Sequence, residues 1–118
     1  LLRHDGSWQA SYRVTNLGGA RADFWFGPEL ALAFSGSAAC PRGEFKGVRS
    51  RAFPDQVYGG VEVEFSEPLD LWAFPLETVS RSEEGAEKTY QGAVMLAHSK
   101  RRLEAGASFS FKLEVRPL

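Results

Sequence analysis

Hydrophobic and polar residues alternate with a period of two along most of this chain. From Ala107 to Val115 the odd positions are Phe109, Phe111, Leu113 and Val115, and the even ones are Ser108, Ser110, Lys112 and Glu114. Alternation of that length predicts a strand with one wet and one buried face. Val61, Val63 and Phe65 alternate with Glu62, Glu64 and Ser66. Trp8, Ala10, Tyr12 and Val14 alternate with Gln9, Ser11, Arg13 and Thr15. From Phe24 to Phe34 the even side carries Phe24, Phe26, Leu30, Leu32 and Phe34. The odd side carries Trp25, Gly27, Glu29, Ala31 and Ala33. Both sides are fairly apolar, so this strand is expected between two layers, interrupted by an edge or a bulge at Gly27-Pro28. On propensity alone Glu29 to Phe34 could make a helical turn; the preceding aromatics and the lack of a cap favour strand.

Leu71 to Ser80 and Lys88 to His98 read as two further strands, joined by a loop over the Ser-, Glu- and Gly-rich stretch Arg81 to Glu87. In the second, Tyr90, Val94 and Leu96 are expected on one face, with Thr89 and Gln91 on the other. Leu17 to Ala20, Ser35 to Gly43 and Gly59-Gly60 carry turn chemistry, and Arg49 to Phe53 is weakly patterned. Many short strands separated by turns predict an all-β, antiparallel β-sandwich in a single domain spanning residues 1–118.

Composition narrows the function. With 118 residues the chain can bury roughly two-thirds of its unfolded surface without a disulfide or metal. Fourteen Lys and Arg against fifteen Asp and Glu leave a net charge of -1, so the chain lacks the positive field that holds phosphate backbones and nucleic acid is not an expected partner. Apolar stretches such as Leu30 to Phe34 are far too short to span a bilayer, and no membrane partner is expected. Cys40 is the only cysteine, which excludes an internal disulfide and any multi-cysteine zinc site. The chain opens on Leu1 without a signal-like segment. It is therefore expected to be a soluble piece cut from a larger protein, with a processed or trimmed full-length product as the alternative, and the lone thiol favours a cytoplasmic site.

Candidate chemistry is sparse. Glu29, Glu77, Glu83, Glu84 and Glu87 could supply a carboxylate pair for glycosidic chemistry, but the acidic cluster sits in a Ser- and Gly-rich loop where solvated charge is the ordinary state. His4 lies near a frayed end. His98 falls on the apolar side of its strand, where a capped or half-buried imidazole is usual. Two distant histidines and one cysteine suggest no metal site, and no Gly-rich loop leads a strand into a helix, so no cofactor is implied. Among the tryptophans, Trp8 is in phase with Tyr12 and Val14, and Trp72 with Phe74 and Leu76; both are expected in the core. Trp25 is out of phase with Phe24 and Phe26 and shares its side with Glu29, Ala31 and Ala33. An indole with small neighbours leaves room for a sugar ring or a neighbouring domain. Lys100-Arg101-Arg102 reads as a solvated turn before the last strand.

The stretch Glu77-Thr78-Val79-Ser80-Arg81-Ser82-Glu83-Glu84-Gly85-Ala86-Glu87, followed by Tyr90-Gln91-Gly92, resembles the closing segment of the C-terminal β domain of glycoside hydrolase family 57 enzymes of the 4-α-glucanotransferase and α-amylase type. There a Thr-Val-Ser-x-Ser-Glu-x-Gly pattern leads into Tyr-Gln-Gly and a final alternating strand. Tyr12 to Asn16 and Phe24 to Phe34, with Phe26-Gly27 and Glu29, are similar to earlier strands of that domain. The resemblance implies a sandwich of the galactose-mutarotase-like supersandwich type, of which this chain looks like the last part. It also implies that the family's nucleophile and general acid lie in an N-terminal barrel absent from this chain, so no catalytic residue is carried over. Ala31 stands where that pattern has a polar Asn, which removes any polar contact from this position. The same motif reads as a structural corner: Ser80 and Ser82 can satisfy backbone groups, Gly85 permits a positive φ, and Gln91-Gly92 allow a close backbone approach.

The leading expectation is a noncatalytic domain that braces the catalytic domain of the same α-glucan-processing enzyme. Sugar-binding or interface residues would be Trp25, Glu29, Glu83 and Gln91. A carbohydrate-binding module centred on Trp25 is a second reading. A mutarotase-like sugar epimerase using His98 with Glu83 or Glu77 is a third. As a fragment, the chain is expected to expose unpaired sheet edges and to self-associate.

Overall fold

The computed structural model describes residues Leu1–Leu118, and every regular element in it is a strand. In chain order these are β1 (Trp8–Thr15), β2 (Ala22–Phe26), β3 (Glu29–Leu32), β4 (Gly43–Asp55), β5 (Gly59–Ser82), β6 (Gly85–Leu103) and β7 (Ser108–Pro117). All pairings are antiparallel. The strands follow the order β1-β7-β5-β6-β2, with β3 on β6 and β4 on β5.

The two cleanest alternating runs lie side by side. β1 and β7 pair from Trp8 opposite Val115 to Thr15 opposite Ser108, which sets Tyr12 against Phe111 and Val14 against Phe109. Such cross-strand pairs are the stabilising unit of a sheet. β5 then belongs to two neighbours in turn. It pairs with β7 up to Phe65 opposite Leu113, and with β6 from Asp70 opposite His98 onward. Pro68, which has no backbone donor, lies in the gap between these ladders. Side chains from both ladders close a core around Phe65, Phe111, Leu71, Met95 and Leu113. Phe26 of β2 packs on Phe109 and Phe111 of β7 at 5.2 and 5.4 Å and on Tyr12 of β1 at 5.7 Å. β2 does not hydrogen-bond to β7 or β1, so these contacts run between layers. The fold is an all-β, sandwich-type arrangement, as the alternation predicts.

Four expectations change in detail. First, the Phe24 to Phe34 segment breaks at Gly27-Pro28 into β2 and β3, as expected, but it is covered on its even side only. Trp25, Glu29, Ala31 and Ala33 are exposed. The β6 ladder, from Glu29 opposite Leu96 to Leu32 opposite Ala93, holds Glu29–Leu32 extended. Second, Trp72 is not in the core. The odd residues Val63, Phe65, Leu69, Leu71 and Ala73 fill the interior, and the pleat turns Trp72, Phe74 and Leu76 outward. Third, Tyr90 does not share a face with Val94 and Leu96. Leu76 pairs with Gly92 but Glu77 with Tyr90, so Gln91 is the extra residue of a bulge that shifts the phase by one. Tyr90 thereby packs on the core beside Ala93, Met95 and Ala97, and its hydroxyl accepts the Phe34 N–H at 3.0 Å. Fourth, Arg81 to Glu87 is no loop. β5 runs to Ser82, β6 starts at Gly85, and only Glu83-Glu84 turn. Lys100-Arg101-Arg102 likewise lies within β6, and Arg49 to Phe53 within β4.

The expected corner is thus a projecting hairpin arm. Glu77–Ser82 and Gly85–Tyr90 pair only with each other, contain no buried residue, and extend about 20 Å. Gly85 takes φ +117° at the turn, and Ser82 Oγ donates to its carbonyl at 3.2 Å. At the arm's base a Cβ on Gly92 would stand 3.2 Å from the Leu32 carbonyl, the close approach expected there. The arm contributes to extents of 58 × 37 × 24 Å and a radius of gyration of 17.3 Å, against about 13.5 Å for a compact chain of this length.

Candidate functional site

The outward face of β3, β6 and β5 carries a contiguous apolar row. Register places Trp72 opposite Leu96, Phe74 opposite Val94 and Leu76 opposite Gly92, with Ala31 of β3 beside Val94. Trp72, Phe74 and Leu76 are 42%, 45% and 51% exposed. A lone large apolar residue at a surface is ordinary; a contiguous row of this kind marks an interaction surface. Both faces of the Leu71 to Leu76 run are therefore apolar, one turned to the core and one turned outward.

Beside this face lies an aromatic cluster around His98. β6 brings Lys100 opposite Trp25 of β2 and His98 opposite Asp70 of β5. The His98 ring lies 4.1 Å from the Trp72 ring and 5.5 Å from that of Trp25. It is buried rather than half-buried, and neither ring nitrogen has a hydrogen-bond partner. The Lys100 ammonium sits over the Trp25 ring at 5.1 Å, within cation–π range. Asp70 Oδ1 accepts the Gly47 N–H at 3.0 Å; that bond, aided by Lys46, holds its carboxyl below the ordinary carboxylate range. Trp25 stands between two depressions. One, of about 280 Å³, is lined by Trp25, Pro68, Asp70, His98 and Lys100 among others. The second, of about 610 Å³, adds Asp23, Phe24, Arg101 and Arg102.

Of the four residues named from sequence, Trp25 and Glu29 share this outward face, opposite Lys100 and Leu96 of β6. Glu83 is remote, at the tip of the arm. Gln91 sits in the bulge, where its amide donates to Thr78 Oγ1 at 3.3 Å. His98 is not brought to Glu77 or Glu83. Glu77 lies seven residues along β5 from Asp70, about 23 Å, and accepts a hydrogen bond from Ser37 Oγ at 2.7 Å. Several other charges are tied to each other. Arg116 holds Glu62 and Glu64, Arg101 holds Glu67 while lying over Phe109, and Arg102 pairs with Asp23 at 3.0 Å. Burial pushes the Cys40 thiol up, so it stays protonated. No three His, Cys, Asp or Glu side chains converge where they could hold a metal. Sequence reasoning missed the Trp72–Phe74–Leu76 face and the burial of His98. The available signal was the two-sided apolar character of Leu71 to Leu76.

A family profile described as the C-terminal domain of alpha-amylase/4-alpha-glucanotransferase matches residues 2–113. This chain belongs to that family. Its fold matches the crystal structure of 4-alpha-glucanotransferase from Thermococcus litoralis with a TM-score of 0.75 at 28% identity, over 99% of this chain and 17% of that one. It is also similar to alpha-amylase 1 of Dictyoglomus thermophilum, 36% identical over 58 residues that cover 46% of this chain and 8% of that protein. The chain therefore spans a small fraction of the length of the relatives it matches.

Proposed function

We propose that this chain is the noncatalytic C-terminal domain of a cytoplasmic α-glucan-processing enzyme of glycoside hydrolase family 57, and that it braces the catalytic domain. The carrying observation is the exposed row Trp72, Phe74 and Leu76 over Val94 and Leu96. Its apolar chemistry suits burial against protein rather than contact with water. The reading is supported by the state of several carboxylates: Glu62 and Glu64 are held by Arg116, and Glu83 and Glu84 lie at an exposed tip. The cytoplasmic part of the reading rests on the sequence, whose one cysteine fits a reducing compartment. The purified chain is expected to leave maltoheptaose unchanged in a chromatographic assay of hydrolysis and transfer. New oligosaccharides formed by the chain alone would overturn the proposal.

A second role, direct contact with glucan, is favoured by Trp25, which is 61% exposed amid polar side chains. It is compatible with the first, because Trp25 borders the apolar row without belonging to it.

A further inference from the structure

The cluster at His98 has features that a docking face does not require. The imidazole is only 7% exposed, yet both of its nitrogens lack partners. An unpaired buried polar group is destabilising, so its presence in a native fold calls for a reason. The imidazole lines a cleft whose other polar groups are the Asp70 carboxylate, Ser99 and the Lys100 ammonium. Lys100 has no carboxylate partner and rests on the Trp25 ring. The Trp25 indole belongs to an edge strand and is 61% exposed.

A sugar ring presents a flat C–H face and a rim of hydroxyls that both donate and accept. An indole matches the face. An acceptor-only carboxylate, a donor-only ammonium and an imidazole that can do either match the rim. A phosphate would meet the Asp70 carboxylate at the same place, and a purely apolar ligand would leave the imidazole unpaired.

We infer that the cleft formed by Trp25, Asp70, His98 and Lys100 binds a glucosyl unit of an α-glucan. The sugar lies on a Trp25 indole turned aside from the imidazole, and its hydroxyls bond Asp70, Lys100 and His98. This site rests on the α-glucan reading above and lies outside any catalytic centre. It would hold a glucan chain on the domain while the remainder of the enzyme acts elsewhere along it.

The chain has two histidines, and exposed His4 provides an internal reference. Imidazole nitrogen–proton correlation spectra are recorded while maltoheptaose is titrated into the chain. The His98 signals are expected to shift and saturate while those of His4 stay fixed. Trp25→Ala and Lys100→Gln, both altering exposed side chains, are expected to weaken the response about tenfold or more. A His98 signal indifferent to maltoheptaose, or a response undiminished in Trp25→Ala, overturns the site. An equal response to cellohexaose overturns its assignment to α-glucans. None of these failures touches the noncatalytic reading, which the turnover assay tests by itself.

Discussion

Gly60 shows how a single residue closes the β4–β5 turn. It takes φ +95°, and a Cβ there would stand 2.2 Å from the Phe53 carbonyl oxygen. Gly60→Ala is therefore expected to destabilise the chain by about 1–3 kcal/mol or more in urea unfolding. A Gly-Gly pair was legible in the sequence as turn chemistry; the steric demand on the second glycine was not. Asp55 was not legible at all. Burial opposes its charge, but N–H donors of Ser35, Val57 and Tyr58 outweigh that and hold its carboxyl at about 2, below the ordinary 3.8. Because the folded value is depressed, Asp55 stabilises the fold above pH 3.8, and that contribution is lost as pH falls through 3.8 toward 2. Urea midpoints measured down this window are expected to fall less steeply in Asp55→Asn than in the parent chain. Parallel slopes would contradict the assignment. The donors that define Asp55 come from residues 35, 57 and 58, and only the folded chain brings Ser35 to the others.

Elements were legible where one face is wet. β1 and β7 alternate strictly, and their register sets the two apolar sides against each other as the pattern implies. Phe111 is 1% exposed at the point where β1, β2, β5 and β7 meet. Phe111→Ala is expected to cost about 3–5 kcal/mol, whereas Val57→Ala, at an exposed turn, should stay within about 0.5 kcal/mol. Chemical denaturation of both variants checks the contrast. Pattern failed where both sides of a strand are apolar, because period two then assigns no inside. Leu71 to Leu76 is that case, and only the packing of the folded chain shows that the core takes Leu71 and Ala73 rather than Trp72 and Phe74. The phase of Tyr90 failed for another reason. The bulge at Gln91 is a property of two paired strands, absent from either one read alone.

For the molecule as a whole, the sequence resemblance pointed to the family, while the bare face required three dimensions to see. A chain with an uncovered arm, free edges at β1 and β4, and an exposed aromatic row is expected to self-associate when alone. Light scattering should find dimers or larger species, and Phe74→Glu should shift them toward monomer without changing the circular dichroism spectrum. A clean monomer of the unaltered chain at high concentration would contradict this. The central claim is that Trp72, Phe74 and Leu76 lie against the remainder of a longer enzyme. Hydroxyl-radical footprinting of that enzyme tests it most directly, since the label reports side-chain exposure residue by residue. The account predicts that these three side chains resist labelling while Leu17 and Val57, 92% and 72% exposed here, label readily. Labelling of Trp72, Phe74 and Leu76 to the same extent as Leu17 and Val57 would contradict it.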